Sequence, residues 1–110
     1  MPLDSSSAQE RFVSVYVDPL TDHGWRLGPS CHMFASSEEE LHAFARRIGM
    51  RRAWYQEERV PHYDLTQRKR ALAVQRGAIE LPRRAAYQYW VSRGWMPRLL
   101  APIEGEELTR

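Results

Sequence analysis

Apolar side chains follow two periods along this chain, and the switches between them predict its elements. From Arg11 to Asp18, the residues Phe12, Val13, Val15, Tyr16 and Val17 make a nearly continuous β-branched and aromatic run. That is the pattern of a strand covered on both faces. Pro19 ends it and leaves Asp18 at its C-terminal edge, where open α/β sheets place ligands and catalytic carboxylates. An Asp before proline also suits a turn. A loop over residues 19–30 carries His23 and Trp25 and is punctuated by Gly24, Gly28 and Pro29. It leads to a second short strand, Ser30–Ala35. The period then changes. Leu41, Phe44, Ala45 and Ile48 fall at i, i+3, i+4 and i+7, one buried stripe of a helix. Ser36 or Ser37 caps it, Glu39 or Glu40 closes a capping box, and three acids face the positive end of the dipole. Gly49 stops it.

Arg51–Gln56 alternates again and predicts a third strand, with Ala53 and Tyr55 on one face and Trp54 and Gln56 on the other. Pro61 turns Val60 away from helix. Asp64 or Thr66 then caps a second helix, Leu65 to about Arg76, closed by Gly77. Its apolar stripe is loose, so it packs peripherally. Ala78–Leu81 predicts a fourth strand, and Pro82 fits the first turn of a third helix, Arg83 to about Arg93. Ala86, Tyr89 and Trp90 are its buried side. The order β-β-α-β-α-β-α predicts a single small α/β domain over residues 11–100, with about four mostly parallel strands and three helices. It lies between a flexible polar tail at 1–10 and an acidic tail at 101–110.

Composition narrows the class. A chain of 110 residues holds one core. No apolar run approaches the ~18 residues of a membrane span, and the start lacks the apolar segment of a secretory signal. Cys31 is the lone cysteine, which excludes an internal disulfide and a Cys-rich zinc site. A cytoplasmic protein without a membrane partner is expected. The net charge is only +2, yet residues 41–98 hold thirteen Arg and Lys against four Asp and Glu. This basic middle attracts phosphate-bearing partners, although charged helix faces are commonplace.

Several runs together carry a family resemblance. They are Glu39-Glu40-Leu41-His42-Ala43-Phe44-Ala45, Gly49-Met50-Arg51-Arg52-Ala53-Trp54-Tyr55-Gln56, the triplet His62-Tyr63-Asp64, and Gly77-Ala78. Jointly they resemble the bacterial and phage family called DUF4031 over about residues 12–82. Val15-Tyr16-Val17-Asp18 and Ser30-Cys31-His32-Met33 are similar to the family's strand-Asp and its Ser-His stretch. The resemblance implies a small α/β domain and no activity. The tails and the last helix lie outside it.

The candidate chemistry comes from separate elements. His32 sits on a strand, His42 in the first turns of a helix, and His62, Tyr63 and Asp64 where a loop meets a helix. With Asp18 they can converge at one sheet edge. We assign His62, Asp64 and Asp18 catalytic roles. His32, His42 and Tyr63 are expected to touch the ligand, with Lys69 and Arg70 as anion contacts. Two or three imidazoles with a carboxylate suit Zn²⁺, Mn²⁺ or Fe²⁺. There is neither a His-Glu-x-x-His nor a Cys pair, so no metal ligand is assigned and no cofactor is named. Arg68-Lys69-Arg70 at a helix start could neutralise a phosphate, and an imidazole could act as acid or base near neutral pH. The absence of a Gly-rich phosphate loop argues against an ordinary ATP or NAD site. Arg46, Arg47, Arg51 and Arg52, interleaved with Trp54 and Tyr55, could hold a nucleic-acid backbone and stack bases. Cys31 and His32 are strand neighbours on opposite faces and form no dyad. The expected function is binding, extending to hydrolysis, of a phosphate-containing ligand, a nucleotide or nucleic acid. The alternative is a non-catalytic interaction or ligand-sequestering protein whose His and Asp residues are structural. Both stay open on the sequence, as do enzyme status and oligomeric state.

Overall fold

In the computed structural model, which describes residues 14–97, the strands are β1 (Val15–Val17), β2 (Ser30–Ala35), β3 (Tyr63–Thr66) and β4 (Ile79–Glu80). They form one sheet in the order β3-β2-β1-β4. The helices are α1 (Glu38–Arg47), α2 (Gln67–Gln75) and α3 (Arg83–Ser92). Alternation along each strand sorts side chains between two faces. Val15, Val17, Cys31, Met33, Tyr63 and Leu65 pack with Leu41, Phe44, Ala45 and Ile48 of α1 and Ala73 of α2. Tyr16 and Phe34 point the other way and pack with Ala86, Tyr89 and Trp90 of α3. The result is a sheet between two helical layers. No helix among the described residues is long and apolar enough to cross a membrane.

Ser37 caps α1 as the sequence indicates, while the Glu40 carboxylate takes the Ser36 hydroxyl in place of the backbone bond of a capping box. Ser37 Oγ accepts from the Glu40 N–H at 3.1 Å, and Ser36 Oγ donates to the Glu40 carboxylate at 3.1 Å. Gly49 adopts φ +80°, which lets the N–H groups of Gly49 and Met50 turn back to the carbonyls of Arg46 and Ala45. At Gly49 an added Cβ would also meet Lys69 Nζ at 2.9 Å, but that is the mobile end of a long side chain, so the positive φ is what requires glycine.

Three expectations are corrected. The sheet is mixed and mostly antiparallel rather than mostly parallel: β1–β2 and β2–β3 pair antiparallel and only β1–β4 pairs parallel. The cause is connectivity. Only a loop joins β1 to β2, so β2 folds straight back along β1, while β4 is reached through α2 and returns in the direction of β1. β2 alone runs against the other three, and it lies between β3 and β1.

The predicted strand Arg51–Gln56 is instead a 3₁₀ turn at Arg52–Trp54. Arg51, Arg52, Ala53 and Trp54 are all exposed, so no second face is available to bury. The strand pairing with β2 comes later, at Tyr63–Thr66, where the buried and half-buried positions alternate. Thr66 ends β3 and also caps α2, its Oγ1 accepting from the Lys69 N–H at 3.2 Å. The second helix therefore starts at Gln67, not Leu65. Helices α1 and α3 and the short strand β4 fall where expected. The polar and acidic tails, and the start of the first strand at Arg11–Val13, lie outside the described residues.

Candidate functional site

The α3 face of the sheet changes character along β2. Phe34 is covered, but His32 and Ser30, at two-residue steps, lead out from under α3. His32 pairs across the strands with Asp64, so both side chains share that face. His62, two residues before Asp64, joins them. It is held by a single bridge to Gln56, whose N–H and carbonyl exchange bonds with His62 at 2.9 Å each.

Each imidazole has one nitrogen committed. His32 Nδ1 lies 2.8 Å from Asp18 Oδ2, and the His32 backbone N–H donates to Asp18 Oδ1 at 2.6 Å. His62 Nδ1 lies 2.6 Å from the Val60 carbonyl oxygen. A carbonyl and an ionised carboxylate only accept, so both Nδ1 atoms carry the proton and donate it. That leaves each Nε2 for the cavity. Asp64 is likewise divided. Gln56 Nε2 donates to Oδ2 at 2.6 Å, while Oδ1 lies 3.2 Å from His62 Nε2. The Asp18 carboxylate raises the His32 imidazole above its usual pKa, against the opposing effect of burial. The His62 imidazole, helped by Gln56, holds the Asp64 carboxyl below its usual value, again against desolvation. His32, His62 and Asp64 each offer a ligand atom, and these atoms lie within 4.8 Å of one another.

These groups line a cavity of about 370 Å³ with His23, Trp25, Ser30 and Gln56. Trp25, Gln56 and Asp64 also border a second, more apolar groove of about 570 Å³, walled by Leu27, Met50, Trp54 and Tyr55 with Lys69 at its edge.

The expected site residues therefore divide. Asp18, His32, His62 and Asp64 come together. Asp18 does so from behind: it is buried and ties the end of β1 to β2. His42 and Tyr63 are on the opposite face, where they share a 2.9 Å hydrogen bond and pack with Tyr55. Burial there raises the Tyr63 phenol. Arg70 is engaged elsewhere, its Nε donating to the Asp18 carbonyl at 2.9 Å and its Nη1 pairing with Glu80 at 3.1 Å. Lys69 Nζ donates to the Ile48 carbonyl at 2.5 Å. Cys31 is buried in the helix-covered core, and desolvation pushes its thiol up to about 12, so it is no nucleophile.

Four lining residues were missed in the sequence. Ser30 had a signal, since it sits two positions before His32 on a strand. Gln56 was read as part of a strand and not as the partner of His62. His23 and Trp25 lie in a loop with no periodicity to aim them.

A mixed-sheet α/β sandwich with a two-histidine, two-carboxylate cluster at the open end of one face is the class that fold and site define. The match to DUF4031, described as a protein of unknown function, covers residues 15–93, and the chain belongs to that family. The matched span includes α3, which the resemblance read from the sequence left outside. No curated protein and no solved structure gives a match.

Proposed function

We propose that the protein binds a phosphate-containing ligand, a nucleotide or a short stretch of nucleic acid, and hydrolyses a phosphoester in the cavity of His32, His62 and Asp64. The observation that carries this reading is the joining of two unlike compartments through Trp25, Gln56 and Asp64. The polar compartment gathers lone pairs that can take a proton from an attacking water. The apolar groove is lined by Trp25 and Trp54, aromatic rings suited to stacking with a base, and Lys69 brings a positive charge to its edge. Asp18 serves as a positioning residue, fixing the His32 tautomer.

A second reading, a non-catalytic interaction or ligand-sequestering protein, draws on the exposure of Trp25, Leu27 and Trp54, at 38%, 54% and 47%. One experiment separates the two. Nucleotides and single-stranded oligonucleotides are titrated against tryptophan fluorescence and incubated for product. The His62→Ala variant should lose turnover by ~10²-fold or more, with a thermal midpoint only a few degrees lower. If the midpoint collapses instead, His62 is structural and the second reading holds. Oligonucleotide affinity should fall steeply between low and moderate salt.

A further inference from the structure

We propose that His32, His62 and Asp64 bind one divalent transition-metal ion of the zinc, iron(II) or manganese(II) class. The ring nitrogens not engaged with Asp18 or Val60 stand at the cavity beside the Asp64 carboxylate, with His62 Nε2 at 3.2 Å from Asp64 Oδ1. Their spacing suits a single ion. Ligand bonds of about 2.0–2.2 Å put two donors on one ion roughly 3–3.6 Å apart. The His62–Asp64 separation is already within that range. The full set, within 4.8 Å, has to draw in by only about 1 Å.

The surrounding shell fits a metal as well. Metal-binding imidazoles hand their other N–H to a carboxylate or backbone carbonyl, which fixes the ring and raises its basicity. His32 does so to Asp18, His62 does so to Val60, and the carboxylate ligand is itself held by Gln56. Two nitrogens and one oxygen favour a borderline ion over Mg²⁺ or Ca²⁺, which take all-oxygen shells. Three protein ligands facing a cavity leave open positions, as in a catalytic metal site rather than a closed structural one. An ion there would deliver an activated water to the cavity, so the inference deepens the hydrolytic reading. It rests on donor geometry and does not require a phosphate ligand.

The test uses the full chain, stripped of metal by a chelator and shown to be folded by circular dichroism. Titration with Zn²⁺ by calorimetry should give one ion per chain with Kd below about 1 μM. His62→Ala and Asp64→Asn should each weaken binding by ~100-fold or more, and Asp18→Asn by about 10–100-fold. Glu39→Ala, on the exposed face of α1, should leave it unchanged. With Co²⁺ the wild-type protein should show two paramagnetically shifted, exchangeable imidazole N–H signals, those of His32 and His62 Nδ1. This readout does not depend on any variant folding. Failure of the folded chain to take up Zn²⁺ or Co²⁺, uptake that survives both ligand variants, or fewer than two such signals would overturn the proposal. Nucleotide binding is scored separately on metal-free and loaded protein, so a failed phosphate reading and a failed metal site give different results.

Discussion

On the α1/α2 side of the sheet, Val15, Val17, Met33, Tyr63 and Leu65 are almost wholly buried and pack with Leu41, Phe44, Ala45 and Ile48. On the α3 side, Phe34 and Ala86 reach that degree, Tyr16, Tyr89 and Trp90 stop halfway, and the next positions along β2 and β3 are His32 and Asp64. One α-helix covers less of a sheet than two. His32 meets the edge of Trp90 at 5.6 Å between ring centroids, and the polar groups past it are half-buried, their desolvation offset by bonds to Asp18 and Gln56. The contrast divides the sheet by face: one side is a closed core, and the other ends in a polar cavity.

Replacing a ring on each side tests that division most strongly. Phe44→Ala in the α1/α2 layer should cost ~3–5 kcal/mol by urea unfolding, and Tyr89→Ala in the α3 layer about 1–2 kcal/mol. Equal losses would erase the distinction. A pH-dependent effect comes from Cys31. Burial lifts its thiol from 9.0 to about 12, so above pH 9 the unfolded chain ionises while the folded chain keeps its proton. Stability then falls as pH rises across that window, by up to ~1.4 kcal/mol per unit. Cys31→Ala should lose that slope in paired unfolding curves, and the native thiol should resist disulfide reagents at pH 8. The smallest expected change is Asp64→Asn, a loss of about 0.5–1.5 kcal/mol at neutral pH from the weakened bonds to Gln56 and His62. A loss above ~2 kcal/mol would move Asp64 into the structural account.

The closed-core side was the more legible in the sequence. The stripe Leu41, Phe44, Ala45 and Ile48, the Ser37 cap and the Gly49 stop rest on local rules, and local rules need no knowledge of neighbours. The site side depends on pairing. Pro61 and the run Asp64-Leu65-Thr66 read as a helix entrance because Thr66 is one. What the pattern concealed is that β3 runs directly into that cap with no loop between. Placing the strand at Arg51–Gln56 hid the bridge from Gln56 to His62. Placing Tyr63 beside Asp64 in one loop hid the fact that strand alternation sends them to opposite faces, which takes Tyr63 and His42 out of the cavity. Asp18, His32, His62 and Asp64 could be named individually. Their assembly follows from a register that no short window contains.

That register gives the core a second role. Cys31 pairs with Leu65, and Met33 with Tyr63, on the buried side, while His32 pairs with Asp64 on the open side. A slip of one residue would drive the Asp64 carboxylate into the core and lift Tyr63 and Leu65 into water. The greasy side of β3 thus works as a machinist's jig: by refusing every other alignment, it sets the gap between the imidazoles and the carboxylate.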